Sequence, residues 1–408
     1  MNIAIITSGF LPVPASKGGA VENLIQNVMN EHEISSNDAT FTIFSIFDKE
    51  SEEISKKYTK SKVVFVKPNV VARGLDKAIF FVAKNILKEE NQFAYRYIAQ
   101  RYFYLRKISK LIARRNFDKI ICENHPTQLK VIKWNNNSAK YAGRYYYHCH
   151  NEIKNFFGCK EIFKNCKKVL CVSNYIKNTI IDSTNIKESK AVVMRNGIDQ
   201  ELFSKEISLD EKKALRDKLG IKENERIILF AGRLIPDKGA KELLESLDYI
   251  KSKNIRIVII GGAISKNKVK TDYEEQIQAL VEQNKDVITF PGYIEYSDIY
   301  KYYKTADIVV LPSIWNDPAP LTIIESLHCG TPIITTKSGG IPEYASASSA
   351  VYLDRDVKDL PKKIALAIDE LIDDEESLFR MSSSAKKDAK LLTKSNYYRT
   401  LMRVLYER

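Results

Sequence analysis

Short apolar runs rich in Ile and Val recur along this chain and alternate with longer stretches in which apolar residues return at helical spacing. The first run, Asn2–Thr7, predicts a buried strand, followed by a loop and a helix over Ala20–Glu31. Strands are predicted again at Phe41–Phe47, Val63–Val66, Asp118–Glu123, Arg144–His148 and Lys168–Ser173, with Asn124-His125-Pro126 starting a helix and Ser173-Asn174 capping one over Tyr175–Asp182. The segment Asp76–Asn116 has a helical pattern unbroken by Gly or Pro after position 76. Ala191–Met194 closes this series, Asn196-Gly197 reads as a turn, and the charged stretch Gln200–Glu225 reads as a boundary region with one short helix.

The pattern then starts again. Strands are predicted at Arg226–Ala231, Arg256–Gly262, Val287–Phe290 (ended by a Pro291-Gly292 turn), Ala306–Leu311, Pro332–Thr336 and Ala350–Leu353. Helices are predicted over Ala240–Lys251, Ser297–Lys304, Leu321–Cys329, near Val357–Ile372, and from about Ser382 or Asn396 to Glu407. Two successive βα series of comparable length predict two α/β domains, Rossmann-like, facing each other across a cleft. The expected boundaries are 1–198, 199–385 and a terminal helical segment 386–408.

Composition narrows the class. The chain has 408 residues and 44% hydrophobic content, enough to fill cores in two or three domains. No run of about 18 apolar residues occurs, and the Met1–Thr7 stretch lacks the basic start and cleavage site of a signal peptide, so the expected location is the cytoplasm. The six cysteines, at 122, 149, 159, 166, 171 and 329, form no Cys-x-x-Cys pair, which favours reduced buried thiols. Charge is less decisive: 64 basic against 51 acidic residues give +13. Nucleic acid, an anionic membrane surface and a polyanionic small ligand all suit that balance. From Lys77 to Lys119 the basics Lys77, Lys84, Lys88, Arg96, Arg101, Arg106, Lys107, Lys110, Arg114, Arg115 and Lys119 outnumber acids 11 to 3 and interleave with Phe80, Phe81, Phe93, Tyr95, Tyr97, Tyr102, Phe103 and Tyr104. Three readings are open: helices with aromatics in the core and basics in water, a face that lies on anionic lipid, or a single-strand nucleic-acid surface. No recognisable nucleic-acid module accompanies the last.

Candidate chemistry lies at strand ends. Gly18 and Gly19 open the first helix, where amides without intrahelical partners suit a phosphate or sugar hydroxyl. His148 and His150 stand one residue apart at a strand end, and alternation puts them on one face. That pair invites a metal reading, but no further ligand is evident at workable spacing, so none is expected. In the second half, Arg233 and Lys238 flank a tight turn before a helix, so both can point at one anion, as a nucleotide diphosphate leaving group requires. Leu311–Tyr344 carries Asp317 and Glu325 at D-x7-E spacing, then Gly339-Gly340, a turn that glycine lets adopt positive φ. Asp317 lies on a loop held by Pro318 and Pro320, and Glu325 lies one to two turns into a helix.

This last stretch resembles the E-x7-E region of the retaining GT-B glycosyltransferases of family 4 (glycosyl transferases group 1), with Asp317 where that family usually has its first Glu. The resemblance covers most of the chain and is most specific in the second half. It implies a GT-B fold whose last helix crosses back to the first domain, and transfer of a sugar with retention. It assigns Glu325 to the donor ribose, Asp317 and His150 to the transferred sugar with His148 as the fallback, and Gly-Arg-Leu followed by Lys-Gly, at Arg233 and Lys238, to the diphosphate. Gly18 and Gly19 then border the donor phosphates and the acceptor. Tyr293 and Ile294 fall at the base, and Pro320, Leu321, Gly339 and Gly340 complete the donor set. Proline at 320, where the family tends to have a small flexible residue, has no N–H to give.

The expected enzyme is therefore a metal-independent hexosyltransferase without a cofactor, taking its sugar from a nucleotide diphosphate, UDP favoured. The implied acceptor is a hydroxyl on a glycan, lipid-linked, in surface polysaccharide biosynthesis at the inner face of the membrane. Rival readings are a sugar-nucleotide epimerase or a pyridoxal-dependent phosphorylase on the same two-domain frame, and a basic nucleic-acid-binding protein.

Overall fold

The computed structural model describes residues 1–85, 97–262, 271–355 and 358–407. The chain divides into two compact units, Met1–Met194 with Tyr398–Arg408, and Arg195–Tyr397. The helix Lys394–Tyr406 thus begins in the second unit and ends in the first. In the first unit Tyr398 Oη meets His32 Nδ1 at 2.8 Å, and Lys167 Nζ donates to the Glu407 carbonyl at 3.0 Å.

The first unit is built on seven parallel strands: β1 (Asn2–Ile6), β2 (Thr40–Ile46), β3 (Ser61–Val66), β4 (Lys119–Glu123), β5 (Tyr145–Cys149), β6 (Val169–Cys171) and β7 (Ala191–Val193). Their order is β3-β2-β1-β4-β5-β6-β7. Ile3, Ala4, Ile120, Ile121 and Tyr146 have no exposed surface or almost none, the continuous burial of strands covered on both faces. The order reverses between β1 and β4, and right-handed crossovers on either side of a reversal place their helices on opposite faces. A reversal leaves a crevice at the carboxyl ends of the two central strands.

The second unit repeats the plan with β8 (Arg226–Ala231), β9 (Ile255–Ile260), β10 (Ile288–Gly292), β11 (Ile308–Leu311), β12 (Ile333–Thr336) and β13 (Ala350–Leu353), in the order β10-β9-β8-β11-β12-β13. All are parallel, and the reversal falls between β8 and β11.

Several local expectations are corrected. Pro291-Gly292 is not a turn after the strand but its last two residues: β10 includes both, with a register shift between Thr289 and Gly292, which an edge strand tolerates because its outer amides need no partner. Gly197 makes no positive-φ turn; it is needed because a Cβ there would lie 2.1 Å from the Thr393 carbonyl oxygen. The helix expected over Ala240–Lys251 stops at Glu245 and tightens into a 3-10 turn over Ser246–Asp248, where Ser246 Oγ turns back to the Leu243 carbonyl. Gln200–Glu225 holds two helices, Gln200–Phe203 and Leu209–Lys218, the second closed by a Ser208–Glu211 capping box.

The basic-aromatic segment forms helices Val70–Asn85 and Ile98–Arg114. Lys88, Phe93, Tyr95, Arg96 and the Lys84 side chain lie outside the described residues. Tyr104 is buried, but Phe81, Tyr102 and Phe103 are exposed, so the aromatics do not all face the core. Among the described residues no helix is long and apolar enough to cross a membrane. All six cysteines are free and buried.

Candidate active site

In the second unit, three loops leave the carboxyl ends of β8, β11 and β12, strands adjacent in the sheet. Backbone contacts knit them together. Ile314 N–H donates to the Asp237 carbonyl at 3.0 Å, Gly340 N–H to the Asp317 carbonyl at 2.8 Å, and Thr336 Oγ1 to the Ser313 carbonyl at 2.6 Å. Gly239, at φ +76°, packs so closely that a Cβ would lie 2.1 Å from the Pro312 carbonyl oxygen. The glycine in Lys-Gly is thus fixed by backbone proximity across the reversal point, independently of any ligand.

On this scaffold Lys238 and Asp317 form an ion pair, with side chains 18% and 5% exposed, and Lys238 Nζ sits 5.8 Å from the centre of the Trp315 ring. Arg233 is exposed and has no carboxylate partner among the described residues, so one of the two predicted cations is unengaged and the other is held. Glu325 lies on the helix Leu321–Cys329 and is 4% exposed. Its Oε2 accepts from Tyr303 Oη at 2.9 Å, and Tyr296 bonds it as well. Burial outweighs these two phenols and pushes the carboxyl up to about 7. It is not a solvated helix carboxylate.

The turn after β12 departs from expectation. Gly339 alone takes a positive φ, +55°, while Gly340 is at −89° and its amide is already used by the Asp317 carbonyl, so Gly340 has no free N–H to offer a ligand. A Cβ at Gly339 would meet that carbonyl oxygen at 2.3 Å, which makes this turn a brace for the Asp317 loop. Pro320 is the N-cap of the helix that begins at Leu321. Tyr293 is 44% exposed beyond the end of β10, and Ile294 packs partly buried against the core. Behind them β8 and β9 touch through glycine: a Cβ at Gly261 would sit 1.8 Å from the Gly232 carbonyl oxygen.

In the first unit, Gly18 and Gly19 precede the helix Ala20–Ile34 at φ +72° and +106°. Gly18 N–H is turned to the Ala15 carbonyl at 3.2 Å, which leaves Gly19 as the candidate open amide. His148 Nδ1 and His150 Nε2 both meet Glu123 Oε2, at 3.0 and 3.1 Å, with ring centres 4.0 Å apart. A carboxylate only accepts, so each ring presents an N–H to it, and a neutral His150 is left with Nδ1 as an acceptor. Burial, and then the neighbouring His148, lower His150 to about 4, so it is neutral at pH 7. Burial alone would raise Glu123; the facing histidines outweigh it and draw the carboxyl down to about 2.

Glu123 was not a predicted site residue. It is the third ligand the His-x-His pair lacked in sequence: the donor atoms of Glu123, His148 and His150 lie within 4.8 Å of one another, a set that could hold a metal ion. Glu22, also missed, stands three residues beyond Gly19, accepts from Ser8 Oγ at 3.2 Å and is pushed up to about 7, by burial first and by the Glu123 charge among the lesser causes. An acid in the first turn of a helix is the signal that could have found it.

Sequence comparison decides the family. The model described as "Glycosyl transferases group 1" matches residues 211–388, and that described as "Glycosyltransferase Family 4" matches residues 66–202. The chain belongs to the group 1 glycosyltransferases. It is a glycosyltransferase with a GT-B fold. It is similar to the Bacillus subtilis (strain 168) protein YtcC, 28% identical over 398 residues that cover 96% of this chain and 88% of that one. It also resembles the Escherichia coli UDP-Gal:alpha-D-GlcNAc-diphosphoundecaprenol alpha-1,3-galactosyltransferase, 30% identical over 195 residues, 46% of this chain and 48% of the relative. Among solved structures, Anabaena Alr3699/HepE in complex with UDP-glucose superposes at a TM-score of 0.73 over 99% of each chain, at 18% identity, a likeness of fold.

Proposed function

We propose that this glycosyltransferase moves a hexose-type sugar from a UDP-sugar to a hydroxyl of a lipid-linked glycan in surface polysaccharide assembly, with retention and without a metal ion. The observation that carries the donor reading is the Lys238–Asp317 pair at the reversal point of the second sheet, with Arg233, five positions before Lys238 on the same loop, unpaired among the described residues. In this reading the diphosphate draws Lys238 towards itself and meets Arg233. Both cations then offset the negative charge that grows on the β-phosphate as the glycosidic bond breaks. Asp317, released from its cation, and His150 orient the sugar, Glu325 holds the ribose, and Tyr293 and Ile294 border the base. The acceptor hydroxyl attacks the anomeric carbon on the face the diphosphate leaves, and its proton passes to a donor phosphate oxygen.

The UDP-glucose of the HepE complex and the diphosphoundecaprenol in the E. coli relative's name support the donor and acceptor classes. Peripheral attachment to an anionic membrane has its own support in the first unit. The helix Val70–Asn85 leaves Val70, Val71, Leu75 and Phe81 exposed beside Arg73 and Lys77. A cavity of about 310 Å³ close by is lined by Lys67, Phe103, Arg106, Lys107 and Lys110.

The test is a screen of nucleotide sugars for thermal stabilisation, then transfer assays with the donor that binds best. Arg233→Ala and Lys238→Ala each abolish transfer while the circular dichroism spectrum is retained. Near-normal turnover in either removes the assignment, and donor conversion with no acceptor present identifies an epimerase instead.

A further inference from the structure

Arg101 is the exception among the buried cations of the described residues. Arg256 is paired with Glu225 at 2.9 Å and Lys394 with Asp199 at 2.9 Å, as buried charges require. Arg101 is 9% exposed, and its buried Nε and Nη2 have no hydrogen-bond partner among the described residues. Its guanidinium lies over the ring of Phe10, whose centre is 4.4 Å from Cζ. Among the described residues no acid pairs with it: the buried Glu123 is held by both histidines, and the buried Glu22 by Ser8 and its own helix end. Desolvation pulls the guanidinium down to about 10, which leaves it charged at neutral pH. A charge held dry without a partner costs free energy, and a fold retains it where something else offsets that cost.

Its position says what that is. Arg101 sits on the helix Ile98–Arg114, which carries the chain from β3 to β4, and Phe10 sits on the loop leaving β1. Beside it are Tyr104, one turn on, Tyr147 within β5, and His125 just after β4. Tyr104 Oη meets Thr7 Oγ1 at 3.0 Å, directly after β1. The guanidinium therefore stands at the carboxyl ends of β1 and β4, where the strand order of the first sheet reverses, the position at which open α/β sheets take ligands. Phe10, 48% exposed, forms its outer wall. A planar fork with two donors vacant fits a planar or tetrahedral oxyanion, and a neutral hydroxyl leaves the charge uncompensated.

We infer that Arg101 is a specificity residue for the acceptor, and that the acceptor glycan carries an oxyanion, a phosphate ester or a carboxylate, which Arg101 binds in the crevice of the first unit. This rests on the transferase reading above, in which the acceptor is taken by that unit.

The test uses the full chain saturated with UDP, so that the donor cations are occupied. Inorganic phosphate, glucuronate and, as the neutral control, glucose are titrated at constant ionic strength by calorimetry, against wild type, Arg101→Met and Arg101→Gln. Phosphate or glucuronate is expected to bind wild type, with at least a tenfold loss in Arg101→Met, while the Kd for UDP changes by less than twofold. Which of the two binds names the anion. The Tm of Arg101→Met is expected to equal or exceed that of wild type, since an apolar chain of similar length replaces an unpaired buried charge; a scaffolding role for Arg101 predicts a fall. Should Arg101→Met not fold, Arg101→Gln gives the same readout. The inference is overturned if both variants keep the oxyanion affinity, or if wild type binds UDP but neither anion. Absence of UDP binding to wild type overturns the donor reading instead, and separates the two failures.

Discussion

Lys238→Met tests whether the Lys238–Asp317 pair is a poised element or an incidental contact. The variant keeps the aliphatic stem and removes the charge, leaving an Asp317 carboxylate that is 5% exposed without its cation. Breaking a buried pair from one side costs roughly 3–5 kcal/mol, because the remaining charge has lost both water and partner. For a domain about the size of the second unit, each kcal/mol lowers Tm by about 2–4 °C, so the expected fall is roughly 6–20 °C. Removing the second charge tests the reasoning more sharply than the first. In Lys238→Met with Asp317→Asn no unpaired charge is left, and at least half of the lost Tm returns even though one more native side chain is gone. Differential scanning calorimetry at pH 7 measures all four members of the cycle. A fall below about 2 °C in the single variant, or a double variant no more stable than the single, refutes the claim that this pair is a desolvated charge couple.

Two further predictions concern carboxylates. Glu325 is raised to about 7 from its ordinary 4.5, by burial, so its protonated form is the one the fold favours. Its contribution is fully present below about pH 4.5 and is lost as pH rises through about 7; Glu325→Gln is therefore expected to lose less stability than wild type across that window, the remaining slope including that of the similarly raised Glu22, as Tm against pH will show, with equal slopes counting against the buried-acid reading. Metal independence is checked at the Glu123, His148 and His150 set: dialysis against EDTA is expected to leave transfer unchanged, whereas a loss restored by a divalent cation assigns an ion to those residues.

Much of the fold was legible because the signal was local. Runs such as Ile227–Phe230 and Ile308–Leu311 are buried on both faces, so their composition is uniformly apolar, and their ends fall at turn residues. Errors gathered where a residue answers to distant backbone. Asn196-Gly197 has the composition of a tight turn, yet its glycine serves an approach by Thr393 almost two hundred positions later. Pro291-Gly292 has the composition of a turn, yet it belongs to the edge strand β10, where a missing ladder donor costs nothing, and edge position is a property of topology.

The same distinction divides the site. Asp317, Glu325, Arg233 and Lys238 were candidates from sequence because each lies in a contiguous strand-loop-helix segment whose chemistry is readable within a few positions. Glu22 lies on the crossing from β1 to β2, Arg101 on the crossing from β3 to β4 and Glu123 at the end of β4, so no contiguous stretch of sequence joins them. Arg101 was moreover hidden by its neighbours, one cation in a segment with eleven. Lys77, Lys107, Lys110, Arg114 and Arg115 are exposed, and water compensates their charge, so their number says little about what the helix does. A single guanidinium taken out of water without an acid beside it carries more information than all of these. Composition counts it as equal to the others, and only burial makes its missing partner a question about substrate.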